Sequence, residues 1–261
     1  MKDTMDLSII IPAYREGPDF KAKLEKLADW LKHHDYGHVE VVVMMQSDDK
    51  TGDVAAAELE EHAHRFENLR IVNLGRRAGK GGAVRAGMFE ATGRYRLFMD
   101  ADLATPLVHL DDVKRLMERG DKVGIAVRNL MTIHKNLTRA LISKLSNIIV
   151  QVVVLPGIKD TQCGFKVFEA QAAEEIFSRQ TLTSWSFDVE VLAIARHLGY
   201  RIMTFEAPDW KDPKGETQGL AGDSPIKVAM AEARDPLMVR WNLWTGRYNR
   251  KSFKYEPKQA K

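Results

Sequence analysis

The sequence predicts an α/β fold with a mostly parallel central sheet flanked by helices. Three observations carry that prediction. Short apolar runs without internal alternation recur between Leu7 and Asp100, as strands buried on both faces require. Segments with the helical spacing of apolar residues fall between them. The informative polar segments lie just after strands, where ligands bind in open parallel sheets.

The elements follow in order. Leu7–Ile11 is an apolar strand that Pro12 ends. Phe20, Leu24, Leu27 and Leu31 stand at i, i+4, i+7 and i+11, the stripe of an amphipathic helix. Val39–Met45 is a second buried strand, and Asp53–Phe66, rich in Ala and Glu, is helical. Leu69–Asn73 is a third strand, Gly79–Thr92 a helix entered through a glycine-rich turn, and Tyr95–Met99 a fourth strand leading to Asp100. Beyond residue 106 the pattern is less regular. Helix Leu110–Arg119, strand Lys122–Val127 and a long apolar helix Leu137–Leu155 come first. Strand Phe165–Phe168, helices Ala170–Arg179 and Phe187–Leu198, and strand Arg201–Glu206 complete the pattern. Asp209–Asp223, rich in Gly, Pro and charge, reads as a loop and as a candidate lid. Ser224–Pro225 and Asp235–Pro236 each pair an N-cap with a first-turn proline, so each starts a helix. Trp241 and Trp244, at i and i+3 on one face, read as core or interfacial, with core the first expectation.

Composition narrows the class. Of the 261 residues 44% are hydrophobic, enough for a real core and too many for a disordered chain. A net charge of +3 does not suggest a nucleic-acid binder. The positive charge is uneven, with Arg76, Arg77, Lys80 and Arg85 in one cluster and Arg247, Arg250, Lys251, Lys254, Lys258 and Lys261 in another. The second cluster reads either as a solvated chain end or as a weak attraction to an anionic membrane surface. Cys163 is the one cysteine, so no intramolecular disulfide forms and a reducing compartment is expected. The start lacks the layout of a signal peptide, and no stretch reaches the ~20 apolar residues that span a bilayer. A cytoplasmic protein is expected, with peripheral contact on the cytoplasmic face of a membrane as a further reading.

Asp100-Ala101-Asp102 carries the sharpest chemistry. Carboxylates at i and i+2 lie on one side of an extended chain and repel unless a cation sits between them. A hard divalent ion, Mg2+ or Mn2+, shared with a diphosphate meets that need. Arg76-Arg77-Ala78-Gly79-Lys80-Gly81-Gly82 precedes a helix, so its N–H groups and the helix N-terminus are placed to meet an anion. Neither the phosphate-loop nor the dinucleotide template fits it, because Gly81 stands where Ser or Thr belongs and Val84 where the third glycine belongs.

Four blocks in this order resemble glycosyltransferase family 2, within it the branch of dolichyl-phosphate β-glucosyltransferases and polyprenyl-phosphate sugar transferases. They are Ile10-Ile11-Pro12-Ala13-Tyr14-Arg15-Glu16, Gly79-Lys80-Gly81-Gly82-Ala83-Val84-Arg85-Ala86-Gly87, Asp100-Ala101-Asp102 and Asp160-Thr161-Gln162-Cys163-Gly164-Phe165-Lys166. The resemblance spans roughly residues 5–206. It implies a GT-A (Rossmann-like) fold, with 1–223 as catalytic domain and 224–261 as a helical extension with a basic tail. It also implies a UDP- or GDP-sugar donor, a divalent metal, and inverting transfer of a hexose, glucose in the first instance, to a polyprenyl or dolichyl phosphate.

By the same resemblance Pro12, Ala13 and Glu16 line the nucleotide pocket, and Lys80 and Gly81 lie near the donor. Asp100 and Asp102 hold the metal and diphosphate, and the Asp160–Lys166 block borders sugar and acceptor. Phe187-Asp188-Val189-Glu190 resembles the family's late acidic segment. One departure stands out. Where the family's second strand ends in an Asp-Asp-Gly-Ser type segment, this chain reads Met44-Met45-Gln46-Ser47-Asp48-Asp49. Gln46 offers both donor and acceptor to a base edge, and Asp49 is a displaced acid, so the pocket is expected to be rebuilt around them. Ala104 is no metal ligand, which leaves water to complete the metal shell.

A lipid phosphate acceptor is already an anion and needs positive charge to hold it, for which Arg128, Arg139 and Lys166, with Gln162, are the candidates. A saccharide hydroxyl would need a carboxylate base, and Asp188 or Asp160 is the candidate for that. Leu137–Leu155 is apolar nearly all round, which fits either core or a groove for a polyprenyl chain. Three rivals remain: a family 2 transferase acting on a saccharide hydroxyl, a sugar nucleotidyltransferase, and a non-catalytic binding protein on the same fold. Pro12-Ala13-Tyr14 after the first strand, where a nucleotidyltransferase has its glycine-rich loop, argues against the second.

Overall fold

A computed structural model of the chain describes residues 5–14, 16, 19–46, 63–128, 150–211 and 225–253, with 63 and 225–233 as backbone only. Seven strands form one sheet: β1 Leu7–Ala13, β2 Val39–Met45, β3 Leu69–Asn73, β4 Tyr95–Met99, β5 Val123–Arg128, β6 Phe165–Glu169 and β7 Ile202–Ala207. Their order is β3-β2-β1-β4-β6-β5-β7. β6 runs antiparallel to β4 and β5, and the other pairings are parallel. The described helices are α1 Asp19–His33, α2 Lys80–Glu90, α3 Leu110–Arg119, α4 Ala170–Phe177, α5 Phe187–His197 and α6 Pro225–Trp244, with a π-helical turn at Val150–Val154.

The apolar strands read without alternation because both faces of the sheet are covered. Ile9 and Ile11 join one core with residues of α1 and α3, such as Leu24 and Val113. Ile10, between them, joins the other core with residues of α2, α4 and α5, such as Val84, Ile176 and Leu192. The sheet-facing side of α2 is built for closeness: a Cβ at Gly87 would run into Ile10 and Met44. The chain moves outward from β1 to β2 and β3, then returns to β4 on the other side of β1. That reversal opens a crevice at the C-terminal ends of β1 and β4.

Several expectations are corrected. Pro12 does not end β1, which stays paired with β2 as far as Ala13–Met45. Pairing with β4 stops at Ile10–Phe98, so Pro12 lies where only one neighbouring strand remains and a missing N–H costs little. Asp235–Pro236 does not restart a helix, since α6 runs unbroken from Pro225 to Trp244 with Pro236 inside it. Both residues are buried, and tertiary packing outweighs the one backbone bond a proline removes. Trp241 and Trp244 are 59% and 75% exposed, because Val239 and Asn242 take the inward positions of α6.

Of the Asp53–Phe66 helix, 53–62 lies outside the described residues and Ala63–Arg65 forms a 3-10 turn. Of Leu137–Leu155, 137–149 lies outside them; Val150, Val154 and Leu155 are buried, while Val152 is exposed. No helix of the described residues is long and apolar enough to cross a membrane.

Candidate active site

Asp100 follows the last residue of β4 and Asp102 follows two positions later, at the crevice between β1 and β4. Leu103 takes a left-handed backbone at φ 54°, uncommon for a residue with a branched side chain, and so turns the chain sharply after the pair. The Ala104 N–H donates to Asp102 Oδ1 at 2.9 Å and fixes that carboxylate. Burial raises the Asp102 pKa above the ordinary carboxylate range, and Asp100 adds to the rise. The Glu16 carboxyl is also held high, by desolvation first and then by Asp102 and Asp100, although the Tyr14 N–H and Lys23 oppose this. Asp102 and Glu16 thus each feel the negative charge of Asp100, with too little positive charge to offset it.

Part of that charge comes from Lys80 at the first turn of α2, whose ammonium lies 2.6 Å from Asp100 Oδ1. Burial disfavours its charge, but Asp100, Asp188 and Asp102 outweigh burial and hold its pKa above the ordinary lysine value. The Trp185 ring lies under the same ammonium, 4.7 Å from its centroid. The sequence reading missed Trp185. Nothing local marks it, because its role depends on the 180–187 segment folding over the start of α2.

That segment also corrects the anion-cradle expectation. The Gly81 N–H donates to the Thr183 carbonyl at 3.0 Å and is not free for a phosphate. Gly79, at φ 73°, lies against Thr183, and a Cβ at Gly81 would sit 2.6 Å from that of Phe187. These glycines serve close packing between α2 and the 180–187 segment. The segment is itself held by Glu190, fully buried on α5, which accepts from Thr181 N, Leu182 N and the Thr181 and Tyr248 hydroxyls.

The antiparallel β6 brings the 160–166 block onto the carboxylate pair. Met99 pairs with Phe165, and the Asp100 N–H donates to the Gly164 carbonyl at 3.0 Å. Asp100 packs so tightly on Gly164 that a Cβ there would lie 2.6 Å from Oδ1 and closer still to the rest of the carboxylate. Asp160 is engaged with Arg128, whose guanidinium donates to both its oxygens at 2.7 and 3.0 Å; the Arg128 and Gln162 N–H groups add two more bonds. Burial raises the Asp160 pKa, but Arg128 overrides this and holds it low. Lys166 is fully buried and donates to Asp188 and to the Cys163 carbonyl, each at 2.5 Å. Burial raises the Asp188 pKa, and Lys166 and Lys80 only partly reverse this. Cys163 is packed beside Thr105, and burial pushes its thiol up to about 11.

At the end of β2, Gln46 is buried and its side-chain oxygen accepts from the Ala78 N–H at 3.1 Å. The Met44-Met45-Gln46 departure thus ties β2 to the glycine-rich segment, with Met44 packed in the core. Pro12 and Ala13 are buried in β1 beside it, and Arg77 stacks on the Tyr14 ring at 4.9 Å. The structure therefore gathers Glu16, Lys80, Asp100, Asp102, Lys166 and Asp188 around the C-terminal ends of the central strands β1 and β4, with the Arg128–Asp160 pair alongside. Gln162 is exposed next to that pair. Asp49 and Arg139 lie outside the described residues.

Asp209–Lys211 is the described part of the loop expected as a lid. His109 bridges Asp112 at 2.9 Å and Asp209 at 2.7 Å. Arg128 stacks on Trp210 at 5.0 Å, and the Lys211 N–H donates to the Ala104 carbonyl at 3.0 Å. Residues that follow the carboxylate pair thus anchor the start of this loop.

The chain matches known proteins along most of its length. It is 30% identical over 258 residues to a dolichyl-phosphate beta-glucosyltransferase of Trichomonas vaginalis, covering 94% of this chain and 77% of that protein. It is 31% identical over 264 residues to a dolichyl-phosphate beta-glucosyltransferase of Saccharomyces cerevisiae, covering 93% and 76%. Among solved structures it resembles glucosyl-3-phosphoglycerate synthase of Mycobacterium tuberculosis, held with Mn2+, uridine diphosphate and glucosyl-3-phosphoglycerate. The TM-score there is 0.56 at 15% identity, covering 95% of this chain and 81% of that one, a likeness of fold. Residues 8–177 match the model described as Glycosyl transferase family 2, and the seven-stranded sheet is of the GT-A kind, so the chain belongs to glycosyltransferase family 2.

Proposed function

We propose that this chain is an inverting, metal-dependent hexosyltransferase that moves glucose from a UDP-sugar to a polyprenyl or dolichyl phosphate. The observation that carries the reading is the Asp100–Asp102 pair at the sheet's reversal point, with Lys80 on one side and the 160–166 block on the other. The names of the curated relatives support the sugar and the acceptor.

The donor set suits a hard divalent ion: two carboxylates, a third from Glu16 nearby, and a deficit of positive charge between them. Among the described residues no group of three or more acids, histidines or cysteines surrounds one point, so Asp100 and Asp102 would hold the ion and the diphosphate and water would complete its shell. When bound, Mg2+ or Mn2+ neutralises charge on the departing nucleoside diphosphate. Lys80, fixed by Asp100 and Trp185, adds a second positive charge for that diphosphate. Gln46 and the ends of β1 and β2 border the nucleoside. Arg128 and Lys166 border the acceptor side, each already paired with a carboxylate, Asp160 and Asp188.

A phosphate acceptor attacks with its own negative oxygen and needs no proton removed. That agrees with the engagement of Asp160 by Arg128 and of Asp188 by Lys166. The raised pKa of Asp188 favours the second reading, in which it is the base for a saccharide hydroxyl.

Thermal stabilisation by a panel of nucleotide sugars, with and without Mn2+, tests the first reading on wild type and Asp102→Ala. A metal-dependent rise in melting temperature with UDP-glucose, absent in the variant, is expected. No rise with any donor refutes it and leaves the non-catalytic binding protein. Acceptor assays with wild type and Asp188→Asn separate the two readings: turnover of polyprenyl phosphate that survives in the variant favours the phosphate, and turnover of a saccharide acceptor that the variant loses with donor binding intact favours the hydroxyl.

A further inference from the structure

α6 has two faces of opposite character. Asp235, Pro236, Val239 and Asn242 are buried, and the helix packs there on α5 and on the π-helical turn. Leu237, Trp241 and Trp244, at i, i+4 and i+7, are 56%, 59% and 75% exposed on one other face. Among the described residues six large apolar side chains are exposed, and three of them share this face. A fourth, Val152, stands on the turn against which α6 packs. The two indoles meet edge to face at 5.2 Å. Arg240, also exposed, lies one turn before Trp244 on the same face.

Charge decides what covers such a face. From Pro236 to Phe253 the chain has Arg240, Arg247, Arg250 and Lys251 and no Asp or Glu, a local charge of +4 within a chain of net charge +3. All four side chains are exposed. A second copy docking symmetrically would set +4 against +4 with no acid to offset it. An anionic lipid surface complements the charge, and tryptophan is the side chain whose apolar ring and polar N–H both suit the bilayer interface.

We propose that the Leu237–Trp241–Trp244 face of α6, with Arg240, Arg247, Arg250 and Lys251, seats the protein on an anionic lipid bilayer. The apolar side chains enter the headgroup region and the basic ones meet lipid phosphates and carboxylates. The opposite side of the helix links this surface to the active site. Ser184 donates its hydroxyl to buried Asp235 at 3.1 Å, and its neighbour Trp185 lies under Lys80. Seating would bring a membrane-borne acceptor to the crevice. That purpose rests on the proposed function, whereas the binding itself does not.

The test is co-sedimentation of the full chain with phosphatidylcholine vesicles, with and without phosphatidylserine. Two variants are compared with wild type: Trp241→Ser/Trp244→Ser, and Arg247→Gln/Arg250→Gln/Lys251→Gln. The altered side chains are exposed, and melting curves check that folding is kept. Wild type is expected to bind vesicles containing phosphatidylserine, with the indole variant weaker by tenfold or more. The charge variant should lose about fivefold for each charge removed at low salt. Nucleotide-sugar stabilisation measured on the same variants should match wild type, so a failed membrane result is distinguishable from a failed donor site. Absence of wild-type binding overturns the proposal, as does equal binding by the indole variant. So does a wild-type dimer that the indole substitutions dissolve, since a second copy would then cover the face.

Discussion

Gly164→Ala probes the geometry around Asp100. Gly164 is not in the left-handed region, so alanine suits its backbone and the effect is steric alone. The new methyl would lie 2.6 Å from Asp100 Oδ1 and closer to Oδ2 and Cγ, whereas real Cβ contacts essentially never fall below 3.0 Å. The carboxylate must therefore retreat by roughly 1 Å, and a misplacement of about 1 Å is enough to cost ~100-fold in rate. The move also strains the 2.6 Å contact with Lys80. The fold should survive, because Asp100 is partly exposed and has room to shift, with an overpacking cost of about 1–3 kcal/mol. The assay is donor-dependent turnover together with a Mn2+ titration of nucleotide binding, with melting curves as control. Loss of both on a folded protein is expected. Wild-type metal-dependent binding in Gly164→Ala would show that Asp100 does not need its present position, and the proposed metal site would fall.

Four further outcomes follow from the same geometry. Glu190→Ala orphans the buried Leu182 N–H and Tyr248 hydroxyl and the half-buried Thr181 N–H, so it should lower stability by ~3 kcal/mol or more in urea unfolding. Tyr248→Phe removes one of these bonds and should cost about 1–2 kcal/mol in the same measurement. Burial lowers the His109 pKa, but bonds to Asp209 and Asp112 outweigh it and raise it above 6.5. Its tether on Asp209 is then full below the unfolded value and is lost as pH rises through the folded one; the protection of the Trp210 and Lys211 N–H groups from hydrogen exchange, relative to the intrinsic rate at each pH, should fall over that window and stay flat in His109→Gln. Asp102→Asn removes a half-buried charge that Asp100 repels, so the donor-free protein should melt higher than wild type while losing its metal-dependent stabilisation.

The fold was largely legible because its rule is local. Strands covered on both faces read as unbroken apolar runs, and Leu7, Val39, Leu69 and Tyr95 open four of them where the structure begins its strands. The antiparallel direction of β6 was not legible, because Phe165–Glu169 carries no sign of which neighbour it meets. The Asp100–Asp102 pair was also readable, since two adjacent acids after a buried strand are costly without a cation. In the 79–82 segment the Gly81 N–H, expected to meet an anion, is taken by a backbone carbonyl instead. A glycine looks the same whether it exposes an N–H to a phosphate or admits a neighbouring carbonyl, and only the distant Thr183 decides.

By itself the sequence determined the α/β class, the order of the elements, and the carboxylates that follow β4. Tertiary structure alone decided the partners: Lys80 with Asp100, Arg128 with Asp160, Lys166 with Asp188, and Trp185 beneath Lys80. Backbone periodicity is set by neighbours a few residues apart and is written along the chain. These buried charges find their counter-ions across 20 to 32 residues, and Lys80 finds the Trp185 ring across 105, only when the sheet closes, so such pairs are invisible until then.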